Sequence, residues 1–79
     1  MATIKRLGNG VVLEDNEGNT YNFPLNTIIL AADDDSDMVN IKLKSYRRTI
    51  KSINYKTFTD ISATSAEQLC KIIQETIYY

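Results

Sequence analysis

The 79-residue chain has no histidine, no tryptophan and a single cysteine, Cys70. Without histidine, neither a Ser/His/Asp nor a Cys/His catalytic arrangement can be assembled, and a cysteine–histidine zinc site lacks its ligands. One cysteine excludes a disulfide within the chain. The three glycines fall singly at turn positions, so no glycine-rich loop is available to cradle a phosphate. The longest apolar run, Ile28-Ile29-Leu30-Ala31-Ala32, is far short of the ~20 residues a membrane helix requires. Met1–Leu7 carries charges but leads into no apolar run of signal-peptide length. Ala2 stands where N-myristoylation needs glycine, and none of the seven asparagines opens an Asn-x-Ser/Thr acceptor. These absences predict a protein made in a reducing compartment, such as a bacterial cytoplasm, neither secreted nor membrane-bound. They predict no catalytic residues, no metal and no cofactor.

What is present is an ordinary globular profile: 43% apolar residues, 24% charged residues and a net charge of −1. A chain of this length buries only roughly 60–65% of its unfolded surface, so its core is expected to be marginal. It forms one domain over residues 1–79, mainly β over 1–58. Thr3–Leu7 and Val11–Glu14 read as strands around Gly8-Asn9-Gly10, whose residues tolerate positive φ. After the turn Asp15-Asn16-Glu17-Gly18, residues Asn19–Phe23 place Tyr21 and Phe23 on one face, and Pro24 belongs at a strand end or sheet edge. Asn26–Ala32 reads as a strand buried on both faces. Beyond the aspartates, Val39, Ile41 and Leu43 alternate with Asn40, Lys42 and Lys44. Thr49–Lys56 is less regular, because Ile50 and Ile53 have opposite parity; either a bulge near Lys51-Ser52 brings both to one face, the reading favoured here, or both faces are partly covered.

The period then changes. Thr64-Ser65-Ala66-Glu67 has the form of a capping box with Thr64 as the cap, opening a helix over 64–78. Leu69, Ile72, Ile73 and Ile77 recur at helical spacing and form an apolar stripe. About fourteen residues are only marginally helical alone in water, so this stripe must pack, and the face carrying Val39, Ile41 and Leu43 is its natural partner. The expected fold is α+β: a small twisted antiparallel sheet or partly open barrel of five to six strands, with one C-terminal amphipathic helix packed on it.

Three features invite a functional reading. Asp33, Asp35 and Asp37 reproduce the opening of a calcium-binding loop, but its sixth position is Met38 instead of glycine and its twelfth is Lys44 instead of glutamate. A solvated turn explains them better. Charge is unevenly spread: residues 1–37 hold two basic and seven acidic side chains, residues 38–79 seven basic and three acidic. Lys42, Lys44, Arg47, Arg48, Lys51 and Lys56 follow one another with no acid between them. On two adjacent strands they would make a positive stripe able to meet nucleic-acid backbone, with Tyr46 and Tyr55 available for stacking. The pI near 5.2 speaks against that, and a dipolar surface equally suits docking on a charged partner or head-to-tail contact between copies. Cys70, beside the helix stripe, reads as a packing residue. The Tyr78-Tyr79 pair either closes the chain's own core or faces a partner.

The chain resembles a group of short proteins encoded by tailed phages of gut Bacteroides-type bacteria. The resemblance lies in the Glu17-Gly18-Asn19-Thr20-Tyr21-Asn22-Phe23-Pro24 hairpin, the Asp35-Ser36-Asp37 turn with its alternating strand to Leu43, and the Ser65-Ala66-Glu67-Gln68-Leu69 helix start. It implies a virion-associated or assembly role through surface contact and carries over no site residue. The expected function is therefore that of a non-enzymatic structural protein of the virion or bacterial host cytoplasm, a capsid or tail accessory component binding other virion proteins, with a homo-oligomer as the further option. Candidate contacts are Lys42, Lys44, Arg47, Arg48, Tyr78 and Tyr79. The alternative is a small nucleic-acid-binding or regulatory phage protein using strands 42–56.

Overall fold

The computed structural model describes residues 1–78. Six strands and one α-helix succeed one another: β1 (Thr3–Leu7), β2 (Gly10–Glu14), β3 (Thr20–Pro24), β4 (Ile28–Asp33), β5 (Met38–Leu43), β6 (Thr49–Asn54) and α1 (Ala66–Ile77). The class is α+β, with antiparallel pairing throughout. The strands do not form one sheet or a barrel. They form two three-stranded meanders, β1-β2-β3 and β4-β5-β6.

The break falls at Pro24-Leu25. Pro24 pairs with Gly10 at the last register position of an edge strand, where its missing N–H costs no ladder bond. Leu25–Thr27 then makes a 3-10 turn that buries Leu25, and the chain enters a second layer instead of extending the first sheet. This turn consumes the start of the expected Asn26–Ala32 strand. The strand is also not buried on both faces: Ile28 is buried, Ile29–Ala31 are half-buried and Ala32 is exposed. β4 is an edge strand of its sheet, hydrogen-bonded to β5 alone, and α1 is the element packed against it.

Gly8, the first central residue of the β1–β2 turn, takes φ +63°, as a type II′ hairpin requires of that position. In the second sheet the ladder slips between Ile41 and Lys42, which pair with Lys51 and Thr49. The bulged residue is thus Ile50, one position before the expected site. The bulge does not bring the two isoleucines together: Ile53 is 2% exposed and Ile50 42%. β6 also ends earlier than expected, because Asn54 Oδ1 accepts from the Lys56 amide and turns Tyr55–Thr57 into a 3-10 helix.

One core joins both sheets and the helix: Val11, Leu13 and Phe23 from the first sheet, Ile28, Val39, Ile41 and Ile53 from the second, and Ala66, Leu69, Cys70, Ile73 and Ile77 from α1. Phe58, fully buried, lies in the irregular segment between β6 and α1, where periodicity gives no signal. Helix α1 packs against β1, β4 and β5. Its cap is Ser65, whose hydroxyl accepts from the Gln68 amide at 3.1 Å. Gln68 Oε1 accepts in return from Thr64 N and Oγ1. The cap therefore falls on Ser65, one residue later than the Thr64–Glu67 pairing expected from the sequence, and the Gln68 side chain reaches back past it to Thr64. Glu67 N instead donates to Asp34 Oδ1 at 3.1 Å. At the other end, Arg6 Nη1 donates to the Ile77 carbonyl at 3.0 Å, satisfying one of the carbonyls a helix end leaves open. Among the described residues, no helix is long and apolar enough to cross a membrane.

Candidate partner-contact site

Strands and helix run back and forth between two ends of the molecule, so turns gather into two groups. At one end lie the β2–β3 turn, the β4–β5 turn, the segment after β6 and the start of α1. Hydrogen bonds tie them together: Asn16 N to the Thr57 carbonyl (2.8 Å), Thr59 N to Asn16 Oδ1 (2.7 Å), Tyr55 N to the Asp37 carbonyl (3.1 Å) and Glu67 N to Asp34. At the other end lie the β1–β2 turn, the Leu25–Thr27 turn, the β5–β6 turn and the end of α1. Here Leu25 N donates to the Asn9 carbonyl (2.7 Å), Lys44 N to the Thr27 carbonyl (2.8 Å) and Arg6 to the Gly8 and Ile77 carbonyls.

The two groups of turns divide the charge. The first carries Asp15, Glu17, Asp33, Asp34, Asp35, Asp37, Asp60 and, in the opening turn of α1, Glu67; its one cation is Lys56, which pairs with Asp37 at 3.2 Å. The second carries Arg6, Lys44, Arg47 and Arg48 against a single acid, Glu75 in the last turn of α1. Lys56–Asp37 is the one ion pair among the described residues, so the cations of the second end face solvent without acidic partners. Asp37 raises the Lys56 ammonium above its ordinary value by hydrogen bond and charge.

The β5–β6 turn is held firmly. Leu43 N donates to the Arg48 carbonyl (2.8 Å) and Arg47 N to the Leu43 carbonyl (2.7 Å). Arg47 sits at φ +54°, a left-handed conformation costing a non-glycine residue roughly 1 kcal/mol. Tyr46, at the tip, is 81% exposed. Beside it Asn26, Thr27, Leu43, Lys44 and Ser45 line an open groove of about 530 Å³. An uncovered aromatic ring, an apolar groove and three cations thus share one hydrogen-bonded turn.

Of the expected contact residues, Lys44, Arg47 and Arg48 come together at this turn, all exposed, and Lys42 stands half-buried on β5 beside it. The continuous stripe expected over Lys42–Lys56 does not form. Lys51 Nζ lies 5.4 Å from the centroid of the Tyr21 ring, a cation–π contact between β6 and β3. Lys56 belongs to the acidic end, as does Tyr55. Tyr78, the helix C-cap, is 52% exposed; Tyr79 lies outside the described residues. The groove residues Asn26, Thr27 and Leu43 are brought to Tyr46 only by the fold. The one sequence signal for the site is a tyrosine flanked by cations inside a turn.

The Asp33–Asp37 loop closes on itself. Asp33 Oδ1 accepts from the Asp35 amide at 3.2 Å, and Asp37 takes φ +60°. No group of three potential metal ligands converges among the described residues. Asp15 is 2% exposed and organises the β2–β3 turn. Its Oδ1 accepts from Glu17 N and Asn19 N, both at 2.9 Å, and its Oδ2 from Asn19 Nδ2 (3.1 Å) and Tyr21 Oη (3.4 Å). Burial alone would raise the pKa of this carboxyl; the hydrogen bonds outweigh it and hold the pKa below 3.8. Tyr21 is raised in turn, by its burial and by the Asp15 charge. Burial, with Glu67 nearby, pushes the Cys70 thiol up, so it stays protonated at neutral pH. No family model, curated protein or solved structure matches the chain.

Proposed function

We propose that this chain is a non-enzymatic structural or assembly protein of a phage virion, a capsid or tail accessory component working through protein–protein contact, with the β5–β6 turn as its docking surface. The observation that carries the reading is Tyr46, exposed at the tip of a firmly hydrogen-bonded turn beside an apolar groove. A tyrosine ring has only two side-chain torsions to fix, so it loses little entropy on binding while burying a large area, and tyrosine and arginine are the residues that most often dominate protein interfaces. The likeness to phage proteins supplies the virion. Mass spectrometry of purified particles provides the test: this chain present at fixed stoichiometry, and lost from particles when Tyr46→Ala and Arg48→Glu are combined. Its absence from intact particles removes the reading.

The same cations support a second reading, a small nucleic-acid-binding or regulatory protein, with Tyr46 stacking on a base. The acidic end and the pI near 5.2 weigh against it. Nucleic-acid affinity should fall by roughly one log–log unit of salt per phosphate neutralised; no binding at ~50 mM salt ends that alternative.

A further inference from the structure

We infer that the partner of the Tyr46 groove is a second copy of this chain, presenting its own acidic end, so that copies join head to tail. The inference rests on the protein-contact reading above and names its occupant. Charge complementarity carries it. The β4–β5 turn holds four aspartates against Lys56, a balance of −3, and the β5–β6 turn holds Lys44, Arg47 and Arg48, a balance of +3. The two turns cap opposite ends of the six-residue β5, so they are separated by about 17 Å. One molecule's cations therefore cannot reach its own aspartates, whereas a neighbour's can.

The neighbouring elements reinforce the negative end and leave the positive one unchanged. Glu17, Asp60 and Glu67 add exposed acids at one end; at the other Arg6 and Glu75 offset each other, so the +3 of the β5–β6 turn stands. The aspartate loop is also prearranged, because its backbone is fixed by Asp33 and by the Asp34–Glu67 contact. Seated on the groove, it would set carboxylates against the three cations while Tyr46 is covered. Tyr46 alone contributes on the order of 150–200 Å² of contact. The two surfaces lie at different ends of the molecule, so the contact is heterologous and repeats along a chain of copies.

Sedimentation velocity of the full chain tests this, at about 20 mM and 300 mM salt, where the Debye length falls from roughly 20 Å to 6 Å. We expect concentration-dependent association at low salt, weakened by about tenfold or more at high salt. Two charge-reversed variants complete the test: Arg47→Glu with Arg48→Glu, and Glu17→Lys with Asp35→Lys, whose side chains make no hydrogen bond among the described residues. Each is expected to sediment as a monomer alone, and the equimolar mixture to associate. Loss of fold cannot produce that rescue. A wild type that stays monomeric at ~1 mM in low salt overturns the inference, as does a mixture without rescue. Monomers that instead bind a 20-nucleotide single strand overturn it too and assign the turn to nucleic acid. Presence of the chain in particles despite a monomeric wild type refutes head-to-tail contact alone; absence from particles refutes the virion role whatever its association state.

Discussion

Replacing Asp15 should damage this protein out of proportion to its place in a surface turn. The carboxylate accepts four hydrogen bonds, two of them from backbone amides at 2.9 Å. A bond to a charged acceptor is worth roughly 1.5–3 kcal/mol, and members of one network do not add. We therefore expect Asp15→Ala to cost about 3–4 kcal/mol and Asp15→Asn, which keeps one acceptor oxygen but aims an amide at the Asn19 and Tyr21 donors, about 1.5–2 kcal/mol. A domain of this size holds only ~4–12 kcal/mol in all. The damage should spread, because neighbouring Asn16 is bonded to Thr57 and Thr59 on either side of buried Phe58. The pH dependence follows from the lowered pKa: stabilisation by the ionised group is complete above 3.8 and is lost as pH falls through the lower folded-state value. Urea unfolding followed by far-UV circular dichroism at pH 7 and at ~pH 2.5 measures both effects. The gap between wild type and Asp15→Asn should be full at neutral pH and narrower in acid. An Asp15→Asn variant within ~0.5 kcal/mol of wild type at pH 7, or a gap that ignores pH, would refute the reasoning.

Phe58→Ala should cost about 3–5 kcal/mol in the same assay, whereas Ile50→Ala, at the half-exposed bulge, should stay within ~1 kcal/mol. Equal losses would mean that Phe58 is not a core residue. Ser65→Ala should destabilise by about 1 kcal/mol and Thr64→Ala by less, since Ser65 holds the Gln68 amide; the reverse order in thermal melts would restore the cap to Thr64. Arg47→Gly should relieve the left-handed backbone and raise Tm by ~4–8 °C while weakening low-salt association. A lower Tm would show that arginine bears no strain there.

Local features were legible because they are written at short range. The II′ turn needs glycine at position 8, the strand around Val39, Ile41 and Leu43 declares itself by alternation, and α1 by its Leu69–Ile73–Ile77 spacing. The cap moved by one residue because Thr64 and Ser65 are chemically equivalent candidates, and the choice falls to the hydroxyl that meets the Gln68 amide while Asp34, from another turn, takes the Glu67 amide. Ile50 and Ile53 could not be assigned because the bulge site depends on the strand opposite. Phe58 was illegible in an aperiodic segment anchored by Asn16, more than forty residues away in the chain.

By itself the sequence determined the class of the fold, the helix and its apolar stripe, and the exclusion of histidine chemistry and of a disulfide within the chain, all of which follow from residue identity and local period. It also carried a charge imbalance, but read linearly this divides at residue 37 and suggests an acidic half and a basic half. Only the tertiary structure decided the real partition. Successive elements reverse direction, so every second turn lands at the same end, and acids from four separate stretches gather opposite cations that are far from them in space and, at Leu43–Arg48, next to them in sequence. Nor does local pattern show that Pro24 and Leu25 send the chain into a second sheet, because which layer a strand joins is fixed by the core it helps to bury.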